Sequence, residues 1–403
     1  MRRLGALAAL SALLVVAGCG APEPTQSSPS PSPSPTAPAL EVTPLVGSVP
    51  FAPIPFKGSD GLTHLVYELS VTNFTSGELT IKDVAVLDAA SGKQIGERDA
   101  ASLQHRVYPA GSREATNVLQ TGQAALVFMH VPLADEELVP QRLTHRVELT
   151  GTALPGGRDQ LTEQIAATAV DRRTLPVLSA PLVGERYVGA DGCCDAPRHT
   201  RAMLPINGQL YLAQRYAVDF EQADEQNRLF TGDPKDPKSY QIFGKQVFAV
   251  ADGTVVGTRN DLPEQTPGTY PPNIGIDEAD GNFVVLDIGN GFFVNYAHMQ
   301  PGSVRPKVGD KVKRGDVIGL VGNSGNSVAP HLHLHVMDGP SPLAAQGLPY
   351  LYDTFTTTGQ VASTGVFDTA EATGVPLALT ADASHTDHTD EMVLDQNLVT
   401  FAR

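Results

Sequence analysis

Between residues 42 and 172 apolar and polar positions alternate with a period of two. In 64–73, HLVYELSVTN, the side chains of Leu65, Tyr67, Leu69 and Val71 fall on one face with mostly polar residues opposite. That is the pattern of a half-buried strand. Segments 79–87, 124–131 and 143–149 repeat it, separated by turns such as Ser91-Gly92 and Pro109-Ala110-Gly111. Short strands at this spacing predict an immunoglobulin-like β-sandwich over 42–172. His64, His105, His130 and His145 are scattered through it without a ligand spacing and read as structural or surface residues. Nothing in the segment looks catalytic.

From 173 to 360 the pattern predicts a second β-rich domain. Residues 246–256, QVFAVADGTVV, read as strand, Ala251-Asp252-Gly253 turn and strand. FVVLDI and FFVNYAHM flank Gly289-Asn290-Gly291, a strong hairpin signal that ends at His298. Gly-Asp turns in 308–322 lead to PHLHLHV. As a strand, this segment puts His331, His333 and His335 on one face and Leu332 and Leu334 on the other. Imidazole titrates near neutrality and is the commonest metal ligand, so neighbouring histidines on one face can share the holding of a metal and the handling of a proton. Residues 257–280 read as a long loop beside this strand. In 361–403, segments 375–379 and 397–401 are expected to add strands, and His385, His388 and Glu391 to lie in a solvated loop.

Composition narrows the class. A chain of 403 residues with 41% apolar content supports two or three domains with real cores. The formal charge of −16, with no basic run, argues against nucleic acid as partner. Residues 1–19, MRRLGALAALSALLVVAGC, have a basic start and an apolar centre too short to span a bilayer, the layout of an export signal. Its end resembles the lipobox of bacterial lipoproteins. That resemblance implies cleavage before Cys19, lipid on Cys19, and a membrane-anchored protein on the outer side of the cytoplasmic membrane or in the periplasm. A plain signal peptide with an incidental cysteine is the other reading. Residues 20–41, with QSSPSPSPSPTAPA, form a Pro/Ser-rich spacer that cannot bury apolar surface.

From Arg215-Tyr-Ala-Val-Asp219 through Tyr296-Ala-His298-Met and VGDKVKRGDVIG to PHLHLHV, residues 214–338 resemble the LytM/lysostaphin-type (β-lytic) zinc metallopeptidases of bacterial cell walls. The resemblance implies zinc as cofactor and peptidoglycan peptides as substrate. It also implies Asp219 and His333 as ligands, with His298 and His331 assisting the attacking water. Where the family has its first ligand, a histidine, this chain has Arg215, and a guanidinium has no lone pair to offer. Another residue completes the site, or the metal is weakly held, or catalysis has been lost. His199 is the first substitute to consider, a hydrogen-bonded structural role being its other reading. His335 is either a bystander or support for His333. A degenerate domain that binds cell wall or regulates another wall hydrolase is the alternative function, and a metal-scavenging lipoprotein a third. Cys193 and Cys194 are adjacent and lack a zinc-finger pattern. A vicinal disulfide, free thiols and metal binding all remain open for them, with a local structural role favoured.

Overall fold

The computed structural model describes residues 40–380 and 385–402. The expected export signal, Cys19 and most of the Pro/Ser-rich stretch lie outside the described residues.

The alternating segments are strands. Leu45–Ser48, Thr63–Asn73, Ala124–Leu133 and Val107–Pro109 pair in that order, with Phe56–Lys57 on the flank of Thr63–Asn73. Gln160–Ala169, Arg142–Gly151, Leu79–Asp88 and Gln94–Asp99 form a second sheet, with Val118–Leu119 beside Leu79–Asp88. Every pairing in both sheets is antiparallel. Leu65, Leu69, Val71 and Val127 from one sheet share a core with Ile81, Val84, Val147 and Leu149 from the other. Burying these aliphatic faces removes about 1.5–3 kcal/mol of solvent exposure per side chain, which is what holds two such sheets together.

Thr63–Asn73 departs from simple alternation. His64, Val66 and Glu68, on the face opposite Leu65 and Leu69, are also buried. That second face is covered by the following region of the chain. Val66 joins Ile54, Phe56 and Tyr216 in one apolar cluster, and the Tyr216 hydroxyl donates to the Val66 carbonyl at 3.2 Å. Residues 43–403 accordingly form one compact unit.

The later region is built on an eleven-stranded sheet. Its order is Lys311–Val312, Gly253–Arg259, Asn282–Gly289, Phe292–Met299, Leu332–Met337, Val218–Gln222, Gly184–Ala190, Asn397–Phe401, Phe355–Gln360 and Thr386–His388, with Gly347–Leu348 paired to Leu332–Met337. The segments on either side of the Ala251-Asp252-Gly253 turn enter different sheets, since Gln246–Phe248 pairs with Val317–Leu320. At the centre, Asp219 stands opposite His333 on one side and Ala190 on the other, and Ala297 opposite His333.

The C-terminal segment extends the sheet through Asn397–Phe401. Residues 375–379 are not a strand, Leu379 alone bridging to Val361. Ahead of them runs a helix, Thr364–Thr373, whose limits are written in its ends. Ser363 accepts from the Val366 N–H as N-cap, and Gly374 closes it at φ 72°. His388, expected in a solvated loop, is instead buried, stacked on Phe355 and bonded to Glu391 at 2.6 Å.

Candidate active site

Four sequence-predicted histidines and Asp219 meet at the edge of one cavity of about 640 Å³. Asp219 comes from the strand Val218–Gln222 and His333 from its neighbour Leu332–Met337, so the register brings them side by side. His331 lies one residue before that strand, and His298 ends Phe292–Met299. His199 belongs to the short helix Pro197–Thr200 and folds back onto Asp219.

What each imidazole presents to Asp219 follows from what holds its other nitrogen. A carbonyl oxygen only accepts, so a ring nitrogen bonded to one carries the proton, and the second nitrogen of the neutral ring is a lone pair. His199 donates through Nδ1 to the Asp191 carbonyl at 2.9 Å, His331 to that of Ala329 at 2.8 Å, and His298 to that of Ser324 at 2.7 Å. His333 is set by a relay. The Pro342 carbonyl takes the His335 Nε2 proton at 3.1 Å, His335 Nδ1 then accepts from His333 Nε2 at 2.9 Å, and His333 Nδ1 is left as a lone pair.

These lone pairs converge on a carboxylate. His333 Nδ1 is 2.8 Å from Asp219 Oδ1, His331 Nε2 is 3.5 Å from the same oxygen, and His199 Nε2 is 3.4 Å from Oδ2. The ligand atoms of His199, Asp219 and His333 lie within 4.8 Å of one another, as do those of His298, His331 and His333. With neutral rings these atoms are all acceptors and repel one another unless a proton or a metal ion sits among them, and the donor set of two imidazoles and a carboxylate suits zinc.

Burial tunes the groups. It pushes the Asp219 carboxyl up, yet the surrounding imidazoles of His331, His199 and His333 outweigh it and hold the group well below the usual carboxylate range. Burial, reinforced by His331 and His333, keeps the His298 imidazole well below its ordinary value. His333 and His335 are lowered by burial as well. Buried His298, His333 and His335 are therefore neutral near pH 7, the form in which a ring nitrogen can accept a proton or a metal.

Local backbone makes the arrangement possible. His298 sits at φ 60°, a conformation a histidine adopts only when its surroundings require it. Its N–H is held by the Asp280 carbonyl at 3.0 Å and its ring by Ser324. The Ser324 loop presses so closely on residue 281 that a Cβ on Gly325 would stand 2.2 Å from the Gly281 nitrogen. Gly325, the second glycine of GNSGNS, is thus there for backbone contact.

Arg215 is elsewhere. Its guanidinium is buried against Glu68 of the sandwich, with Nε and Nη2 at 2.9 and 2.8 Å from the two carboxylate oxygens and Nη1 donating to the Gly347 carbonyl at 3.0 Å. It does not line the cavity. His335 is support for His333 rather than a bystander. Cys193 and Cys194 form a disulfide.

The sequence reading missed several groups in the cavity wall. Glu221 follows Asp219 by two residues on one strand and so shares its face, a signal that was available. Its carboxyl is raised well above the ordinary value by burial and by Glu371, which reaches in from the helix Thr364–Thr373 with Phe367 and Asp368. Asp191 and Asp280 also line the cavity, the latter pushed up to about 6 by burial. The loop 257–280, expected beside the site, contributes Tyr270 and Ile276 to the opposite wall.

The profile of peptidase family M23 matches residues 240–345, a span that holds His298, His331, His333 and His335 and begins after Asp219. Endolysin 2638A of Staphylococcus phage 2638A is 42% identical over 80 residues, 19% of this chain and 16% of that protein. The peptidoglycan DD-endopeptidase ShyA of Vibrio cholerae is 30% identical over 190 residues, 42% of this chain and 40% of that protein. The chain spans less than half the length of these curated relatives. Among solved structures, the catalytic domain of the prophage-encoded M23 protein EnpA from Enterococcus faecalis is 21% identical, covering 43% of this chain and 92% of that one at a TM-score of 0.25. Over residues 240–345 this chain carries a LytM-type domain of peptidase family M23.

Proposed function

We propose that this protein is a zinc-dependent endopeptidase acting on the peptides of bacterial peptidoglycan. One observation carries the reading: His199 Nε2 and His333 Nδ1 converge on the two oxygens of the Asp219 carboxylate, while the other nitrogen of each ring is held by a partner of its own. His199, Asp219 and His333 would hold the metal. When bound, zinc supplies Lewis acidity toward a carbonyl oxygen and makes water acidic enough to attack near neutral pH. A peptide lies in the cavity between the loop carrying Tyr270 and the helix carrying Phe367. His298 and His331 point free Nε2 atoms toward the reacting carbonyl. There the lone pairs of His298, kept neutral by burial, and of His331 orient the attacking water and take its proton, and the N–H so formed then donates to the developing oxyanion. The substrate class is supported by the name of ShyA, a peptidoglycan DD-endopeptidase. Export and a lipid anchor on Cys19 belong to the same reading and rest on residues 1–19.

The competing reading, a degenerate module that binds wall or regulates another hydrolase, rested on Arg215. That residue now has a structural partner in Glu68, and His199 stands by Asp219. The protein as purified is expected to contain one zinc per chain and to release new amino termini from peptidoglycan. His199→Ala, Asp219→Ala and His333→Ala should each lose the metal, whereas His298→Ala should keep it and lose activity by roughly 10²–10⁴-fold. Zinc retained by His199→Ala would remove that residue from the ligand set. A metal-free wild-type protein releasing no amino termini would end the enzymatic reading.

A further inference from the structure

The sandwich carries a second group of metal-type ligands, outside the M23 domain and independent of what the cavity does. His64 and His130, read from sequence as structural or surface residues, stand on the adjacent strands Thr63–Asn73 and Ala124–Leu133. His64 Nδ1 is 2.9 Å from His130 Nε2. Each ring is tied at its outer nitrogen to a carboxylate: His64 Nε2 to Asp60 Oδ1 at 3.0 Å, and His130 Nδ1 to Asp195 Oδ2 at 3.0 Å. Asp195 is itself paired with Arg106 at 2.5 Å.

An ionised carboxylate only accepts, so both outer nitrogens carry protons. In neutral rings both inner nitrogens are then lone pairs, facing each other at hydrogen-bond distance. A positive charge belongs between them, either one proton shared at the expense of a buried imidazolium or a metal ion. His64 is 2% exposed, so a shared proton would place an imidazolium in the interior. Histidines whose outer N–H is fixed by a carboxylate are the usual metal-ligating arrangement. A third ligand is at hand, because the Cys194 sulfur lies within 4.8 Å of a ring nitrogen of each histidine. That sulfur is bonded to Cys193. A thiolate is a strong zinc ligand, and a disulfide sulfur is not.

We propose that His64, His130 and Cys194 form a zinc site that assembles when the Cys193–Cys194 disulfide is reduced. A dithiol of the thiol–disulfide exchange class suffices. One of its thiolates attacks a sulfur of the pair, the S–S bond breaks, and the second thiol resolves the mixed disulfide. Two electrons and two protons pass to Cys193 and Cys194, and the reductant leaves as its own disulfide. On metal binding the Cys194 thiol releases its proton to solvent. The site joins two sandwich strands to the segment that carries His199 five residues later.

The test uses full-length protein with His333→Ala, so that the cavity does not compete for metal, and a phosphine reductant, since dithiols chelate zinc. Reduced protein is expected to take up a further equivalent of zinc. With cobalt(II) it should show the near-ultraviolet thiolate charge-transfer band, absent without reductant. Cys194→Ser abolishes band and equivalent, and Cys193→Ser binds without reductant. Asp60→Asn or Asp195→Asn weakens binding roughly 10–100-fold. Reduced protein that stays folded by circular dichroism yet binds no further metal overturns the proposal. So does a cobalt band that survives His130→Gln, a substitution at a partly exposed position.

Discussion

At the scale of a residue, an imidazole's role is decided by its far nitrogen. PHLHLHV announced three histidines on one face, and the family resemblance, not the strand pattern, linked His333 to Asp219, which the strand register sets side by side. Neither was enough to say which nitrogen faces inward. That depends on the carbonyls of Asp191, Ala329, Ser324 and Pro342, which the fold delivers from separate segments. His335 shows the consequence, because among the described residues its hydrogen bond to the site is the one to His333 Nε2. Replacing it with alanine frees His333 to take either tautomer, so His335→Ala is expected to weaken zinc binding roughly 10–100-fold. A competition titration with a chromophoric chelator measures this. Unchanged affinity would mean that packing alone orients His333.

At the scale of an element, the strand Thr63–Asn73 explains what Arg215 is for. Leu65, Tyr67, Leu69 and Val71 were legible as a core face, and the mainly β character followed from such segments. The other face was read as polar because Glu68 and His64 sit on it, and alternation cannot distinguish a solvated polar face from one buried with partners. Glu68 is fully buried, and the bidentate Arg215 guanidinium compensates it. Removing one partner strands a charge in the interior, so Arg215→Met or Glu68→Ala should each lose about 3–5 kcal/mol in urea unfolding. The paired change Arg215→Met with Glu68→Leu should recover most of it, since no buried charge remains. Arg215→His is the informative variant for the site. If a histidine there restored a family-like ligand, it would have to abandon Glu68, so loss of stability with no gain in zinc affinity is expected.

At the scale of the whole molecule, the sandwich does not obstruct the cavity, whose described lining runs only from Ala190 to Glu371. It braces the two segments that supply ligands. Arg215, four residues before Asp219, is anchored to Glu68. The stretch leading to His199 is held at Asp195 by Arg106 and His130, and just beyond at Arg201, whose Nη1 donates to the His105 carbonyl at 2.6 Å. None of these contacts could be read from spacing, because their partners lie 65 or more residues apart. Residues 173–403 made alone would expose Tyr216 and release the Arg215 guanidinium from Glu68. Losing the burial of a side chain such as Tyr216 costs about 1.5–3 kcal/mol, a sizeable part of the roughly 5–15 kcal/mol that keeps a typical protein folded. The isolated piece is therefore expected to unfold at markedly lower urea concentration than the full chain and to hold zinc less tightly at His199. Zinc content and urea midpoint measured side by side on the two proteins decide the matter. A fragment that matched the full chain in both would make the sandwich an appendage and leave residues 173–403 sufficient for the whole site.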